Sequence, residues 1–433
     1  MHVENPYIQY MYSYPHKTVY RTLKNISLKD YFPKLSGKEN SLYFHIPFCQ
    51  YKCGYCNLFS VAGQPEQFMA EYVDAMERQS AQLSEALPEE TVFADLTFGG
   101  GTPLLLPVPL LRRIFSMAKK YFHFAADNFP TIVETSPNQT TLEKLSILKE
   151  EGVSRISIGV QSFQENELTA LHRSHSADSA KRALHLIRQM DFDCMNIDLI
   201  YGIPGQTIES LSCSLKQALA FEPEEIFIYP LYVKPETYLY RQGTKRSDSS
   251  FLMHQYVRDY LKEAGYHPYS MRRFAKKRNP ESLCGFGNTI SVGCGGRSYI
   301  DNLHFCSPYA VRQEHCMAIL SEYIKQTDFL QATHGFLLSP EEQKRRYVIR
   351  HLLFDTGINR KDYQKHFSNE VQKEFPQMAE WEQAGLVTIS TDHVALTEDG
   401  FALSDYLGPR LISPDVAEKM RNASCKISKK GWI

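Results

Sequence analysis

Between Ser41 and about Val233 one unit recurs: a short apolar, β-branched segment, a turn marked by glycine or proline, then a helical stretch. The strand candidates are SLYFHIP from Ser41, ADLTFGG from Ala94, TIVETSP from Thr131, RISIGVQSF from Arg155, MNIDLIYGIP from Met195 and EIFIYPLYV from Glu225. Stretches between them, such as EQFMAEYVDAMERQSAQL and SADSAKRALHLIRQM, repeat apolar residues at the spacing of an amphipathic helix. Alternating strands and helices imply right-handed crossovers and a parallel sheet, and near-continuously apolar strands suit burial on both faces. Six units fall short of a closed eight-fold barrel, so the expected fold is α/β, an open, partial (β/α)6 TIM-like barrel. HIPFC, GGGTP, VETSP, GVQSF and IDLIYG all fall at strand C-termini, the end where such barrels assemble their active sites.

Outside this stretch the rhythm breaks. Residues 1–40 read as an N-terminal arm, 41–235 as the barrel core, and 236–333 as an irregular extension on the substrate side. The extension contains GYHPYSMRRFAKKRNPE and LCGFGNTISVGCGGRSYI, rich in glycine and basic residues. In residues 334–433, SPEEQKRRYVIRHLLF, RKDYQKHF, EWEQAGLVTIS and DHVALTEDGFALSDYL outline three helices and a small hairpin, a winged-helix-like module.

Cys49, Cys53 and Cys56 form C-x3-C-x2-C directly after the first strand. A structural zinc site wants four closed ligands, and no later pair among Cys194, Cys213, Cys284, Cys294, Cys306, Cys316 and Cys425 has two-residue spacing. A thioredoxin-type CxxC accounts for Cys53 and Cys56 but leaves Cys49 idle. The remaining reading is a [4Fe–4S] cluster on three thiolates whose fourth iron is open to an exogenous ligand. An open metal position marks a catalytic rather than a structural site.

The rest of the composition narrows the class. Lys plus Arg number 48 against 49 Asp plus Glu, a balance that does not point to nucleic acid. No uncharged apolar run approaches the length of a membrane span, and MHVENPYIQYMYSYPHK lacks the regions of a secretory signal. Ten cysteines are too dilute for a disulfide scaffold, which indicates a reducing, cytoplasmic setting.

The cysteine motif in this strand context resembles the radical S-adenosylmethionine (SAM) superfamily. LYFHIPFCQYKCGYC, FGGGTP, VETSP, ISIGVQSF, LHRSH and MNIDLIYGIPGQ, with the C-terminal module, tighten the resemblance to the oxygen-independent coproporphyrinogen III oxidase family. That resemblance implies a [4Fe–4S] cluster on Cys49, Cys53 and Cys56, with SAM chelating the open iron. It implies that Tyr43 and Tyr55 line the SAM, that Gly100, Gly101 and Thr102 bind it, and that Glu134 accepts from its ribose or amine. Gln161, Arg173, Asp198 and Tyr232 match positions that contact a second SAM in the family. Out of context, GGGTP would simply end a strand, Glu134 or Asp198 would be helix caps and Arg173 a solvated helix residue; the register weighs against this, since Arg173 lies twelve residues after Gln161, as in the family it resembles.

The implied activity is hydrogen abstraction from an organic substrate by a SAM-derived radical, such as oxidative decarboxylation of a porphyrinogen propionate. The alternatives are a haem chaperone and a methyltransferase drawing on a second SAM. The implied partners are a small molecule, a tetrapyrrole among them, and a reductant such as flavodoxin or ferredoxin, with the chain acting as a monomer. YMYSYPHK from Tyr10 resembles the family's N-terminal arm, and RRFAKKR from Arg272 to Arg278 offers cations to propionates or forms a solvated loop. Two departures stand out. Leu58 occupies the position of a further cysteine in the oxidases, and the His-Asn signature of the related haem chaperones is missing after GYHPY.

Overall fold

A computed structural model describes residues 3, 5–11, 13–24, 26–277 and 287–430, with side chains described as far as residue 422. The six expected strands are present as β1 (Asn40–Ile46), β2 (Phe93–Gly100), β3 (Thr131–Thr135), β4 (Arg155–Gln161), β5 (Cys194–Tyr201) and β6 (Glu225–Pro230). They are parallel neighbours in that order. Leu42, Phe44, Phe98, Val133, Ile158, Ile197 and Ile228 are buried between this sheet and helices such as Glu66–Ala86, Val108–Tyr121 and Ala177–Gln189. Ser176 and Thr207 each close a reciprocal capping box, which sets where the helices Ala177–Gln189 and Ile208–Leu219 begin.

The register decides what meets at the open end. Ile46 pairs with Gly100, Glu134 with Ser157, and Gly159 with Asp198, so the strand-end motifs stand side by side. Between Gly159 and Gln161 the pairing slips, and Gln161 adopts φ 71°. A non-glycine residue in that region is strained, and such residues gather at functional sites.

The extension beyond β6 is more regular than its composition suggests. Arg273–Ala275 (β7) pairs antiparallel with β6, and Asn288–Val292 (β8) adds a further parallel strand on the free side of β1. Ser298–Ile300, Leu303–Phe305 and His334–Leu337 continue the same sheet as a meander, and Arg21–Thr22 of the arm pairs onto its last strand. Glycines at the end of β8 serve close approach. A Cβ at Gly293 would lie 2.5 Å from the Tyr72 hydroxyl and 2.6 Å from the His45 carbonyl, and the residue sits at φ 97°.

The helical module follows. Pro340–Leu352 and Arg360–Phe367, capped by Ser339 and Asn359, pack with a three-stranded antiparallel sheet in which His393–Leu396 is central. The arm belongs to this second core: Met11, Tyr14, Val19 and Tyr20 are buried with Tyr347, Leu352, Trp381 and Leu407. Among the described residues no helix is long and apolar enough to cross a membrane.

Candidate active site

At the C-terminal end of the barrel lies a cavity of about 560 Å3. It is lined by Cys49, Cys53, Tyr55, Cys56, Gly100, Gly101, Thr102, Glu134, Gln161, Arg173, Asp198 and Tyr232, twelve of the thirteen residues implicated by the sequence. The exception is Tyr43, whose hydroxyl instead lies 3.1 Å from His45 Nδ1.

Cys49 ends a two-residue strand paired with Val61–Ala62, and the loop between them carries Cys53 and Cys56. Lys52 holds that loop from inside, donating to the carbonyls of Leu58 at 3.3 Å, Ser60 at 3.0 Å and Val311 at 2.6 Å. Gly54 N–H donates to Leu171 O at 3.0 Å and Leu239 N–H to Gly54 O at 2.9 Å, tying the loop across the barrel mouth. Beneath it, a Cβ on Gly101 would come within 2.6 Å of Phe48 O and 3.0 Å of Cys49 Sγ. Only a glycine lets β2 end this close to the cysteines.

As free thiols Cys49 and Cys56 resist ionisation. Burial, reinforced by Cys56 and Cys53, pushes Cys49 up to about 12, and burial also raises Cys56. At Cys56 two cations oppose this, Lys52 more strongly than Arg173. Arg173 Nη1 donates to Cys53 Sγ at 3.0 Å and Nη2 to Gly159 O at 2.5 Å. Burial disfavours that guanidinium, but Tyr55 and Cys53 hold its pKa above the ordinary arginine value. Arg173 therefore touches the cysteine motif itself, in addition to lining the cavity where a second SAM was expected.

The carboxylates differ in their partners. Glu134 Oε2 accepts from Gly100 N–H at 3.1 Å, while burial raises its pKa. Asp198 accepts from Asn196 Nδ2 at 2.8 Å, yet burial pushes it up to about 7. Tyr232 lines the same cavity. Its hydroxyl donates to Asp405 of the C-terminal module and accepts from Arg272, and its ring stacks on Tyr10 of the arm at 5.6 Å and 9°.

The basic run divides: Lys276 and Lys277 are exposed bends, as a solvated loop would be, while its first two arginines behave otherwise. Arg272 and Arg273 are buried and ion-paired, to Asp405 and Glu225 respectively, so they form neither a solvated loop nor a free propionate clamp. Arg278 and Cys284, with the rest of residues 278–286 in the stretch compared with the chaperone signature, lie outside the described residues, as does Tyr12 of the arm. Sequence reasoning assigned no role to His45, whose Nε2 lies 3.0 Å from Phe59 O and whose burial lowers its pKa to about 4. The HIPF motif was a signal for it. Asp405 gave none, since its partners lie more than a hundred residues away.

The donor set suits a cluster. Among the described residues no group of three His, Cys, Asp or Glu side chains gathers as around a single ion. A cubane asks for something else, because each thiolate takes a different iron at a separate corner. Three cysteines around one cavity, with an arginine on one sulfur and polar strand ends opposite, meet that requirement.

A partial β/α barrel with three cysteines at its open end defines a class, and comparison agrees with it. The model of the radical SAM superfamily matches residues 43–216. The chain is 31% identical to the heme chaperone HemW of Escherichia coli, over 60% of this chain and 70% of that protein. It is 28% identical to HemW of Bacillus subtilis, over 84% and 97%. With the oxygen-independent coproporphyrinogen III oxidase of Escherichia coli it shares 26% identity over 90% and 91%. The solved structure of the Escherichia coli oxidase HemN superposes with a TM-score of 0.81 at 22% identity, covering 93% of this chain and 96% of that one, a likeness of fold. The chain belongs to the radical SAM superfamily, in the family shared by HemW and oxygen-independent coproporphyrinogen III oxidase. Its cofactors are those of the superfamily, a [4Fe–4S] cluster and SAM.

Proposed function

We propose that the chain is a radical SAM enzyme that abstracts hydrogen from an organic substrate held in the cavity. One observation carries this reading: the three motif cysteines and the polar strand ends line a single cavity that the arm helps to enclose. When bound and reduced, the cluster supplies one-electron cleavage of the SAM sulfonium and so a hydrogen-abstracting radical.

The residues divide the work around that chemistry. Cys49, Cys53 and Cys56 would hold the cluster as thiolates, with the Arg173 guanidinium donating to the Cys53 sulfur. Tyr43, Tyr55, Gly100, Gly101, Thr102 and Glu134 form the first SAM site, with Tyr43 acting from behind through His45. Gln161, Arg173, Asp198 and Tyr232 form the adjoining site for a second SAM or the substrate. Ile8, Gln9 and Tyr10 from the arm and Met420 from the last helix help shield the cavity from water. The substrate is a tetrapyrrole or a related carboxylate-bearing molecule, a reading supported by the name of the oxidase relative. The chain works as a cytoplasmic monomer without nucleic acid and takes its electron from a flavodoxin or ferredoxin.

A second reading, haem chaperone, is supported by the 97% coverage of the Bacillus subtilis HemW. Anaerobic reconstitution separates the two. With dithionite and SAM the enzyme releases 5′-deoxyadenosine, and Cys53→Ala releases none. Stoichiometric haem binding without that product favours the chaperone.

A further inference from the structure

We propose that Lys234 is the residue that recognises a carboxylate of the substrate, which rests on the substrate cavity just proposed. Lys234 follows β6 and lines the cavity. Its Nζ lies 5.0 Å over the Tyr232 ring, and among the described residues no hydrogen bond or ion pair holds it. The other cationic groups around the cavity are committed. Arg173 is on Cys53 and Gly159, Lys52 is on three carbonyls, and Arg272 is on Asp405 and Tyr232. His16 Nδ1 lies 2.9 Å from the Thr18 hydroxyl, and burial keeps that ring neutral.

A half-buried ammonium without a partner is costly, and an anion in the cavity removes that cost. The surroundings describe what carries the anion. Tyr10 stacks on Tyr232 and meets Tyr229 edge-on at 6.1 Å, so the ammonium stands beside a wall of tyrosine rings. A flat, multi-ring molecule bearing carboxylates fits both features: rings against rings, a carboxylate on Lys234. The simpler role for Lys234 is packing on Tyr232 as a cation–π contact, and that role makes no distinction between charged and uncharged ligands.

Coproporphyrin III and its tetramethyl ester share one ring system and differ in charge. Holoprotein is titrated anaerobically with each, following porphyrin fluorescence. The wild type should bind the acid at least about tenfold more tightly than the ester, the lower end of what one hydrogen bond to a charged group contributes. Lys234→Met should erase that preference with the ester affinity kept, and Lys234→Arg should retain it. The proposal is overturned if neither porphyrin binds or if acid and ester bind alike in the wild type. It is equally overturned if the preference survives Lys234→Met, or if that variant weakens both ligands to the same degree. Release of 5′-deoxyadenosine by the wild type without porphyrin is read separately, so failure of the radical chemistry is distinguishable from failure of the carboxylate site.

Discussion

Asp198 is where single-residue chemistry has its clearest consequence. Burial lifts its folded pKa to about 7 from the ordinary 3.8, with Asn196 opposing the shift. Between those values the folded chain keeps a proton that the unfolded chain has lost, so stability falls as pH rises through that window and levels off above it. Asp198→Asn keeps the acceptor for Asn196 and removes the titration. Its stability advantage over wild type should grow by about 1–2 kcal/mol between about pH 5 and pH 8, after discounting for water in the cavity. Denaturant unfolding of the apoprotein measures this, and an equal gap at both pH values would contradict it. The position of Asp198 at a strand end was legible because alternation and register follow from local pattern. Its proton affinity was not, because that depends on burial by segments distant in sequence.

At the scale of elements, the end of β2 is built around contact with the cysteine loop. Adding a methyl at Gly101 forces Phe48 O and Cys49 Sγ to move, since the closest approach would be 2.6 Å. Gly101→Ala should therefore cost about 1–3 kcal/mol, as overpacking does, and lower the iron content after reconstitution. A variant with wild-type unfolding midpoint and full iron loading would show that the loop tolerates a shift. All six barrel strands were readable from apolar runs bounded by turn residues. β8 was not, because glycines beside NTISV read as irregular structure. At Gly293 the glycine instead admits Tyr72 and the end of β1, a reason visible only in three dimensions.

At the scale of the whole molecule, the arm, barrel and C-terminal module meet at Asp405. Its carboxylate takes Arg272 and Tyr232, and its carbonyl accepts from Ile8 and Gln9 N–H, both at 3.2 Å. Asp405→Ala leaves Arg272 buried and unpaired, which should cost about 3–5 kcal/mol. The amides of Ile8 and Gln9 should then exchange faster with solvent, while Arg272→Met combined with Asp405→Leu recovers most of the stability. Unchanged exchange in Asp405→Ala would mean the arm is held without the Asp405 carboxylate, by its apolar contacts and the bonds to the residue 405 carbonyl. This junction joins residues that no local sequence pattern connects, which is why Arg272 read as a candidate substrate clamp.

The most direct measurement is iron and acid-labile sulfide content with low-temperature EPR on anaerobically reconstituted, reduced protein, before and after SAM is added. Four irons per chain and a signal altered by SAM are the expected result, lost in Cys53→Ala and retained in Cys294→Ala. A wild type that never takes up four irons, a signal indifferent to SAM, or a cluster that survives Cys53→Ala would contradict a three-thiol site with one iron open to SAM.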